Sequence, residues 1–262
     1  MKRVGLTALV LALLALGTVF GQQELSFIGR YDDVKNIKQE IGGDTNQFVF
    51  ARLIYNGRIP GYYKNWYTDY PKCDEQLILG IKRLTNLHIA DHEVAIPLTD
   101  PNLFKYPFLY SSEVGQLVFS DEDAAIMREY LARGGFWMVD DFWGSNEMDN
   151  FAHNIHKILP DAEIKDLPMN HPIFHTFYDI DKLIQTPSLA YAFNGGVTYE
   201  TDGFYAEAKG VSDPQGRLMI FINHNTDLGD SYENADDPRY PEYFSMYGYR
   251  LAINAFLYSL TH

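Results

Sequence analysis

The chain has 262 residues and a formal net charge of −14, from 21 basic and 35 acidic residues. Such a surface repels nucleic-acid phosphates and anionic lipid headgroups, so we expect neither as a partner. Cys73 is the only cysteine, which excludes an internal disulfide and a metal site built from several thiolates, and the 46% of apolar residues must supply the core.

The amino terminus has the residue order of a secretory signal peptide. Lys2 and Arg3 precede an almost entirely apolar run over residues 4–20, and Gly21 follows. The run is short for a membrane span and no basic stop-transfer cluster follows it, which favours cleavage over a retained anchor. The sequence therefore predicts a signal peptide over residues 1–21 and an exported, periplasmic or secreted protein, with no stable membrane insertion after cleavage.

The next segments predict one domain that follows a lead-in. Residues 22–46 are polar and irregular, and we expect a single α/β domain over residues 47–262. A buried strand is predicted over residues 48–55 from its length and its β-favouring side chains. Pro71 is expected to open a helix, after an aromatic loop over residues 61–67.

The middle of the chain alternates between helix and strand. Ser120 begins a capping-box-like sequence, and Gly134 suits the left-handed position after a helix. A buried strand is predicted over residues 136–139 and a second helix over residues 146–158. This alternation predicts a three-layer, doubly wound α/β fold with a mostly parallel sheet covered on both faces.

The last part of the chain is richer in strands. Residues 204–210 and 217–222 flank a turn over residues 212–216, which predicts a β-hairpin in the C-terminal half. A closing helix is predicted over residues 243–260.

Polar clusters follow three of the predicted strands, at residues 55–57, 140–144 and 223–229. Ligands of parallel sheets bind beyond the carboxyl ends of the strands, near the point where strand order reverses. The ligand-binding candidates from these clusters are Tyr55, Asn56, Trp143, Asn223, Asn225 and Asp227.

Asp140 and Asp141 are the candidates for catalysis. A pair of carboxyl groups can act as general acid and base. Side chains alternate across a strand, so we expect one to face a pocket and the other to cap the following loop. The alternative is that both are turn and cap residues.

The aromatic loop offers two more ligand-binding candidates, Trp66 and Tyr70. Aromatic rings near Asp and Asn are a common way to bind sugar rings, which have apolar faces and hydroxyl edges. The alternative is that most of these rings fold back over the edge of the sheet.

Neither a metal site nor a cofactor is predicted. Asn223-x-Asn225-x-Asp227 starts like a calcium loop, but Leu228 and Asn234 stand where that loop needs Gly and Glu. The histidines, including the pairs His153 with His156 and His171 with His175, form no His-Glu-x-x-His pattern.

Cys73 is expected in the first turn of a helix, where the helix dipole lowers a thiol pKa. Without a histidine partner in the sequence pattern, passive packing is favoured over catalysis.

Five motifs then follow in order along the chain. They are Phe50-x-Arg52-Leu53-x-Tyr55-x-Gly57, Trp66-x-x-Asp69-Tyr70-Pro71-x-x-Asp74, Tyr106-Pro107-Phe108-Leu109-Tyr110, Gly134-Gly135-Phe136 with Asp140-Asp141-Phe142-Trp143-Gly144, and Asn223-x-x-x-Asp227-x-Gly229. Together they resemble the bacterial family called domain of unknown function 4159, over about residues 47–261. Arg52 and Asp74, which belong to these motifs, are added to the ligand-binding candidates.

The resemblance implies a class I glutamine amidotransferase-like fold of the flavodoxin type, and His171-Pro172-Ile173 is similar to a motif of sugar-linked members of that wider group. Amidotransferases carry a nucleophilic cysteine in the turn after a central strand. The equivalent turn here is residues 140–144, which contains no cysteine, and Cys73 lies elsewhere. The resemblance therefore implies a site location without amidotransferase activity.

Three functions remain open. The first is binding of a polar ligand or a cell-envelope partner at the carboxyl ends of the strands. The second is a hydrolase, with glycans as a candidate substrate class and with Asp140 or Asp141 as general acid or base. The third is a subunit of a larger envelope complex whose acidic face docks a basic partner. Binding is favoured because the sequence contains no complete nucleophile or acid–base arrangement.

Overall fold

The computed structural model of the protein describes residues 47–59, 65–193 and 196–262. The predicted signal peptide over residues 1–21 and the lead-in over residues 22–46 lie outside these ranges, as does most of the aromatic loop. The described residues form an α/β structure, which confirms the predicted class. No helix formed by them is both long and apolar enough to cross a bilayer.

The strands of the described residues vary from two to seven residues in length. They are β1 (Ala51–Ile54), β2 (Asn56–Gly57), β3 (Val94–Pro97), β4 (Phe108–Ser112), β5 (Leu117–Val118), β6 (Phe136–Asp140), β7 (Lys165–Asp166), β8 (Glu207–Ser212) and β9 (Leu218–His224).

The helices of the same residues connect and cover these strands. They are α1 (Lys72–Leu84), α2 (Asp121–Ala132), α3 (Gly144–Ile158), α4 (Leu189–Phe193), α5 (Leu228–Glu233) and α6 (Glu242–Thr261), with short 3₁₀ helices at Leu103–Lys105, Val114–Gln116 and Pro172–Phe174.

Seven strands form one sheet in the order β3-β1-β4-β6-β9-β8-β7. The first five of these pair in parallel, and β8 and β7 add two antiparallel pairings at one edge. The predictions of a mostly parallel sheet and of a C-terminal hairpin, formed by β8 and β9, are both confirmed. A separate antiparallel pair joins β2 to β5.

Local sequence explains the ends of α2. The Ser120 hydroxyl accepts a hydrogen bond from the Asp123 backbone N–H at 3.0 Å, and the Asp123 carboxylate accepts from the Ser120 N–H at 2.9 Å. These two bonds satisfy N–H groups that a helix start leaves unpaired, so the predicted capping box is confirmed. Gly134, just after the helix, has a φ of 101°, which a residue with a side chain rarely adopts.

Helices cover both faces of the sheet. Consecutive residues of a strand point to opposite faces. In β6, the Phe136 ring contacts Tyr258 of α6 at 6.0 Å between centroids, whereas the Trp137 ring contacts Phe151 of α3 at 5.7 Å. The helices α3 and α6 therefore lie on opposite faces, and the sheet is the middle of three layers.

The order of the strands reverses beside β1. From β1 the chain passes through α1 to β3 on one side, and then returns to β4 on the other side of β1. The carboxyl ends of β1 and β4 therefore border the crevice where ligands of such sheets bind.

Candidate functional site

The predicted strand ends meet at one edge of the sheet. The Tyr55 hydroxyl, just beyond β1, lies 2.8 Å from the carbonyl oxygens of both Ser112 and Glu113 at the end of β4. The Asn223 amide donates to the Val139 carbonyl at 3.2 Å, so the ends of β9 and β6 are also joined. Tyr55, Asn223 and the neighbouring Asp140 are thus brought together as the parallel topology requires.

Three carboxyl groups lie above this edge and are called the acidic cluster below: Asp69, Asp227 and Asp230. Each offers one carboxyl oxygen, and these oxygens all lie within 4.8 Å of one another. Asp227 caps α5, since its Oδ1 accepts from the Asp230 backbone N–H at 2.7 Å. Asp230 accepts from the Leu189 backbone N–H at 2.9 Å. The cluster therefore joins the start of α5 to the segment before α1.

Arg52 determines where Asp69 lies. Its guanidinium donates to the backbone carbonyls of Trp66 at 2.9 Å and Thr68 at 3.1 Å, which lie three residues and one residue before Asp69. It also donates to both carboxyl oxygens of Asp74, and both side chains are completely buried. Arg52 and Asp74, predicted to bind ligand, therefore engage each other and hold the segment that presents Asp69.

Gly229 leaves room for the acidic cluster. A Cβ atom at this position would lie 2.8 Å from Asp69 Oδ2, 3.4 Å from the Tyr110 hydroxyl and 3.5 Å from Asp227 Oδ1. The first of these distances is shorter than side chains tolerate. Oxygen atoms from β4, from the segment before α1 and from the start of α5 therefore surround Gly229, and a side chain at this position would displace Asp69 Oδ2.

Burial raises the pKa of every member of the acidic cluster, and nearby carboxylates add to this effect. For Asp69 burial acts first and the charge of Asp230 second. For Asp227 burial is followed by the charges of Asp141 and Asp230, and for Asp230 burial is the first cause. The carboxyl groups of Asp227 and Asp230 share a hydrogen bond, which raises the pKa of Asp227 and lowers the pKa of Asp230. The cluster therefore favours either a bound proton or a bound positive charge.

Asp140 has one engaged oxygen and one without a partner. Oδ2 accepts from the backbone N–H groups of Leu228 at 2.9 Å and Gly229 at 3.1 Å, at the start of α5. Oδ1 is buried and forms no hydrogen bond with any described residue. Burial, followed by the charge of Asp141, raises the pKa of Asp140 to about 8. The Tyr110 hydroxyl lies near enough to lower this pKa, although the pair falls outside hydrogen-bond geometry. Asp140 is therefore mostly protonated at neutral pH.

Asp141 has different partners from Asp140. Its Oδ1 accepts from the Trp143 indole N–H at 3.0 Å, and its Oδ2 accepts from the Ser112 hydroxyl at 3.2 Å. Its backbone is left-handed, with a φ of 53°, which ends β6 abruptly. Trp143, a predicted ligand-binding residue, is buried and orients this carboxylate.

The aromatic candidates of the loop are also engaged. Trp66 is 3% exposed and packs against Tyr70 at 5.9 Å between ring centroids. The Tyr70 hydroxyl donates to Glu93 at 3.0 Å. Asn56 lies in the short β2 and is exposed.

Asn225 connects the site to a segment with exposed aromatic rings. Its Oδ1 accepts from the Gly144 backbone N–H at 2.8 Å and its Nδ2 donates to the Tyr205 carbonyl at 3.0 Å. The Tyr205 ring is 80% exposed and the adjacent Phe204 ring is 54% exposed. Asn225, two positions before Asp227, therefore contacts a segment with exposed aromatic rings.

The expected lowering of the Cys73 thiol pKa by the helix dipole is wrong. Burial first, and the charge of Asp74 second, raise the pKa of its thiol well above the ordinary value, instead of the lowering expected from the helix dipole. Complete burial outweighs the dipole here.

The histidine pairs do not form a metal centre in the described part of the chain. His153 and His156 are exposed on α3, and His171 accepts from the Ile173 backbone N–H. Where the structure describes the chain, the acidic cluster is the one group of three metal-ligating side chains at suitable distances.

Sequence reasoning missed Asp69, Asp230 and Tyr110. Asp69 and Tyr110 belong to two of the motifs given above, and Asp230 lies three residues after Asp227. That spacing places the carboxyl groups of Asp227 and Asp230 on one side of a helix start, which was the available signal.

The fold and the site together define an α/β protein with a mostly parallel sheet and an acidic site at the carboxyl ends of its strands. The chain belongs to the family described as domain of unknown function (DUF4159), whose model matches residues 49–260. No curated protein matches the chain.

Proposed function

We propose that this is an exported protein that binds a polar ligand, either a small molecule or a group presented by a cell-envelope partner, at the acidic cluster. The proposal of export rests on the signal-peptide pattern of residues 1–21. The proposal of binding rests on one observation: Asp69, Asp227 and Asp230 converge within 4.8 Å at the edge of the sheet where ligands of parallel sheets bind.

The finer fold proposal is a class I glutamine amidotransferase-like arrangement. In chain order, the five parallel strands β3-β1-β4-β6-β9 follow the 2-1-3-4-5 order of flavodoxin-type sheets, which supports it. The turn after β6 contains no cysteine, and Cys73 is buried on α1. Both facts support the absence of amidotransferase activity.

The negative charge of the acidic cluster favours a ligand with a positive or hydrogen-bond-donating group. The basic groups that lower the pKa values of the cluster are Arg52 and Lys72. Arg52 is engaged by Asp74, and Lys72 is 46% exposed and lies 3.3 Å from Asp236. The cluster therefore retains negative potential that a donor-rich ligand would satisfy. The ring of Tyr205, whose backbone carbonyl accepts from Asn225, adds exposed apolar surface to the segment that Asn225 contacts.

A thermal-shift screen with cell-wall oligosaccharides and with basic and neutral peptides tests this function. A ligand at 100 times its Kd adds about 2.7 kcal/mol to the free energy of unfolding. We expect at least one class to raise the Tm of the wild-type protein. We expect Asp227→Asn to lose this shift and to retain α5, because Asn is as good a helix cap as Asp.

The matched control is Asp161→Asn, which removes the same charge from an exposed position. Asp161 lines the same cavity as Ser212 and Gly216, which precede β9, so it is on the side of the sheet edge opposite to Asp227, which follows β9. An equal shift for wild type and both variants would contradict binding at the acidic cluster. No shift with any sugar or peptide would contradict the proposal as a whole.

A second candidate, a hydrolase with glycans as a candidate substrate class, is favoured by the protonation of Asp140. A general acid must carry its proton at the working pH, and the pKa of Asp140 is raised to about 8. Asp140→Asn should then abolish turnover of a glycan substrate without a loss of thermal stability. Turnover at the wild-type rate, or an unfolded variant, would remove the support for Asp140 as the acid.

A further inference from the structure

We propose that the acidic cluster of Asp69, Asp227 and Asp230 binds a hard divalent cation of the Ca²⁺ or Mg²⁺ class. This inference rests on the proposed function, because it names the chemical class of a ligand at the same site. Four features of the described residues carry it: the spacing of the oxygens, their chemistry, the Tyr110 hydroxyl and the charge balance.

The spacing of the oxygens fits a shared cation. Carboxylate oxygens lie about 2.3–2.6 Å from Ca²⁺ and about 2.0–2.1 Å from Mg²⁺. Two oxygens on one Ca²⁺ ion can therefore be separated by at most about 5 Å, even when they lie on opposite sides of it. The three oxygens of the cluster, which all lie within 4.8 Å of one another, meet this condition without a change of backbone.

The ligand chemistry selects the class of ion. All three side chains are carboxylates, and neither histidine nor cysteine joins the group among the residues that the structure describes. Oxygen ligands suit Ca²⁺, Mg²⁺ and Mn²⁺, whereas Zn²⁺ and Cu²⁺ sites usually contain imidazole or thiolate.

Tyr110 is an independent indication that a ligand belongs at this point. Its side chain is 1% exposed, and its hydroxyl forms no hydrogen bond within the described ranges. A Cβ atom added to Gly229 would lie 3.4 Å from that hydroxyl. The same atom would lie 2.8 Å from Asp69 Oδ2 and 3.5 Å from Asp227 Oδ1. Asp69 Oδ2 is also inaccessible and without a hydrogen bond to a described residue. Buried polar groups of this kind are normally satisfied, so two unpaired oxygens beside Gly229 and the acidic cluster are an indication of a ligand there.

The charge balance also favours a cation. Three carboxyl groups at this spacing cannot all ionise without strong mutual repulsion, and the Arg52 guanidinium is engaged by Asp74. A divalent cation would neutralise most of this charge and would replace the water lost on burial with direct oxygen coordination.

Calorimetry and thermal shift on chelator-treated protein test the inference. The protein is dialysed against EDTA and then against chelator-free buffer, and is titrated with CaCl₂, MgCl₂ or MnCl₂ at constant ionic strength. We expect one ion to bind per chain and the Tm to rise. Constant ionic strength separates this effect from general screening of the acidic surface.

Asp69→Asn is the most informative variant. Asp69 has a left-handed φ of 62°, which Asn adopts as readily as Asp, so the backbone should be retained. We expect a loss of cation affinity of at least about tenfold, and a Tm in EDTA no lower than that of wild type, because Asn can replace Asp at this backbone conformation. A merely structural Asp69 would instead lower the Tm in EDTA and leave the cation affinity unchanged.

Gly229→Ala and Asp161→Asn complete the set. The new methyl group at residue 229 would displace Asp69 Oδ2, so this variant should also lose affinity although no charge changes. Asp161→Asn, at the far end of β9, should bind like wild type.

Two results would overturn the inference: no heat and no Tm shift with any of the three ions, or an affinity of Asp69→Asn equal to that of wild type. In either case, a sugar or peptide shift that Asp227→Asn abolishes would leave the proposed function standing. The failures of the two proposals can thus be distinguished.

Discussion

Neutralisation of Asp140 should make the stability of the protein less sensitive to pH. Burial and the charge of Asp141 raise the pKa of Asp140 to about 8, from an ordinary value of 3.8. Between these values the folded state holds a proton that the unfolded state has released. The free energy of unfolding therefore falls as the pH rises through this window, and the contribution is fully lost only above pH 8.

The magnitude follows from the single proton involved. One proton that only the folded state binds changes the free energy of unfolding by about 1.36 kcal/mol per pH unit. Because of Asp140, the free energy of unfolding of the wild-type protein should thus fall by roughly 2.7 kcal/mol as the pH rises from 5 to 7. Asn resembles the protonated acid and can still accept from the N–H groups of Leu228 and Gly229. Asp140→Asn should therefore remove about this much of the pH dependence.

Urea unfolding of wild type and Asp140→Asn at pH 5, 6, 7 and 8, in EDTA, measures this difference. The variant should already be more stable than wild type at pH 5, and this difference should grow by about 2.7 kcal/mol between pH 5 and pH 7. Parallel pH profiles for the two proteins would refute the assignment of a raised pKa to Asp140. A variant that is less stable at every pH would show that its carboxylate is needed in the ionised form.

Two further predictions concern the residues that hold the site. Arg52→Met should lower the free energy of unfolding by about 3–5 kcal/mol in urea titrations, because it leaves Asp74 charged and buried. The double variant Arg52→Met with Asp74→Leu should recover part of this loss, and a single variant that costs under about 1 kcal/mol would contradict the role of the pair. Cys73 should react with a thiol reagent only as fast as the protein unfolds, since its thiol is buried and its pKa is raised. Rapid labelling of the native protein would contradict this description.

Local patterns predict much of the fold. The capping box at Ser120, the left-handed Gly134 and the turn over residues 212–216 each place a boundary within a few residues of the observed one. The alternation of strand and helix over residues 121–158 correctly predicts a parallel sheet with helices on both faces. These features depend on neighbouring residues, so a single sequence contains the information.

The site is less predictable because its members are joined by tertiary contacts. Arg52 and Asp74 are a charged pair in the sequence, but only the fold shows that each is the partner of the other. Asp69 reaches the cluster because Arg52 fixes the carbonyls before it and because Gly229 has no side chain. Neither cause is local, so no periodicity or spacing near Asp69 would have predicted its position.

A crystal structure of the protein soaked with Mn²⁺, with anomalous diffraction data, tests most directly whether the strand ends form one ligand site. The account predicts an anomalous peak within about 2.0–2.6 Å of carboxyl oxygens of Asp69, Asp227 and Asp230, beside Gly229. Carboxyl groups that point away from one another, with no peak between them, would contradict it.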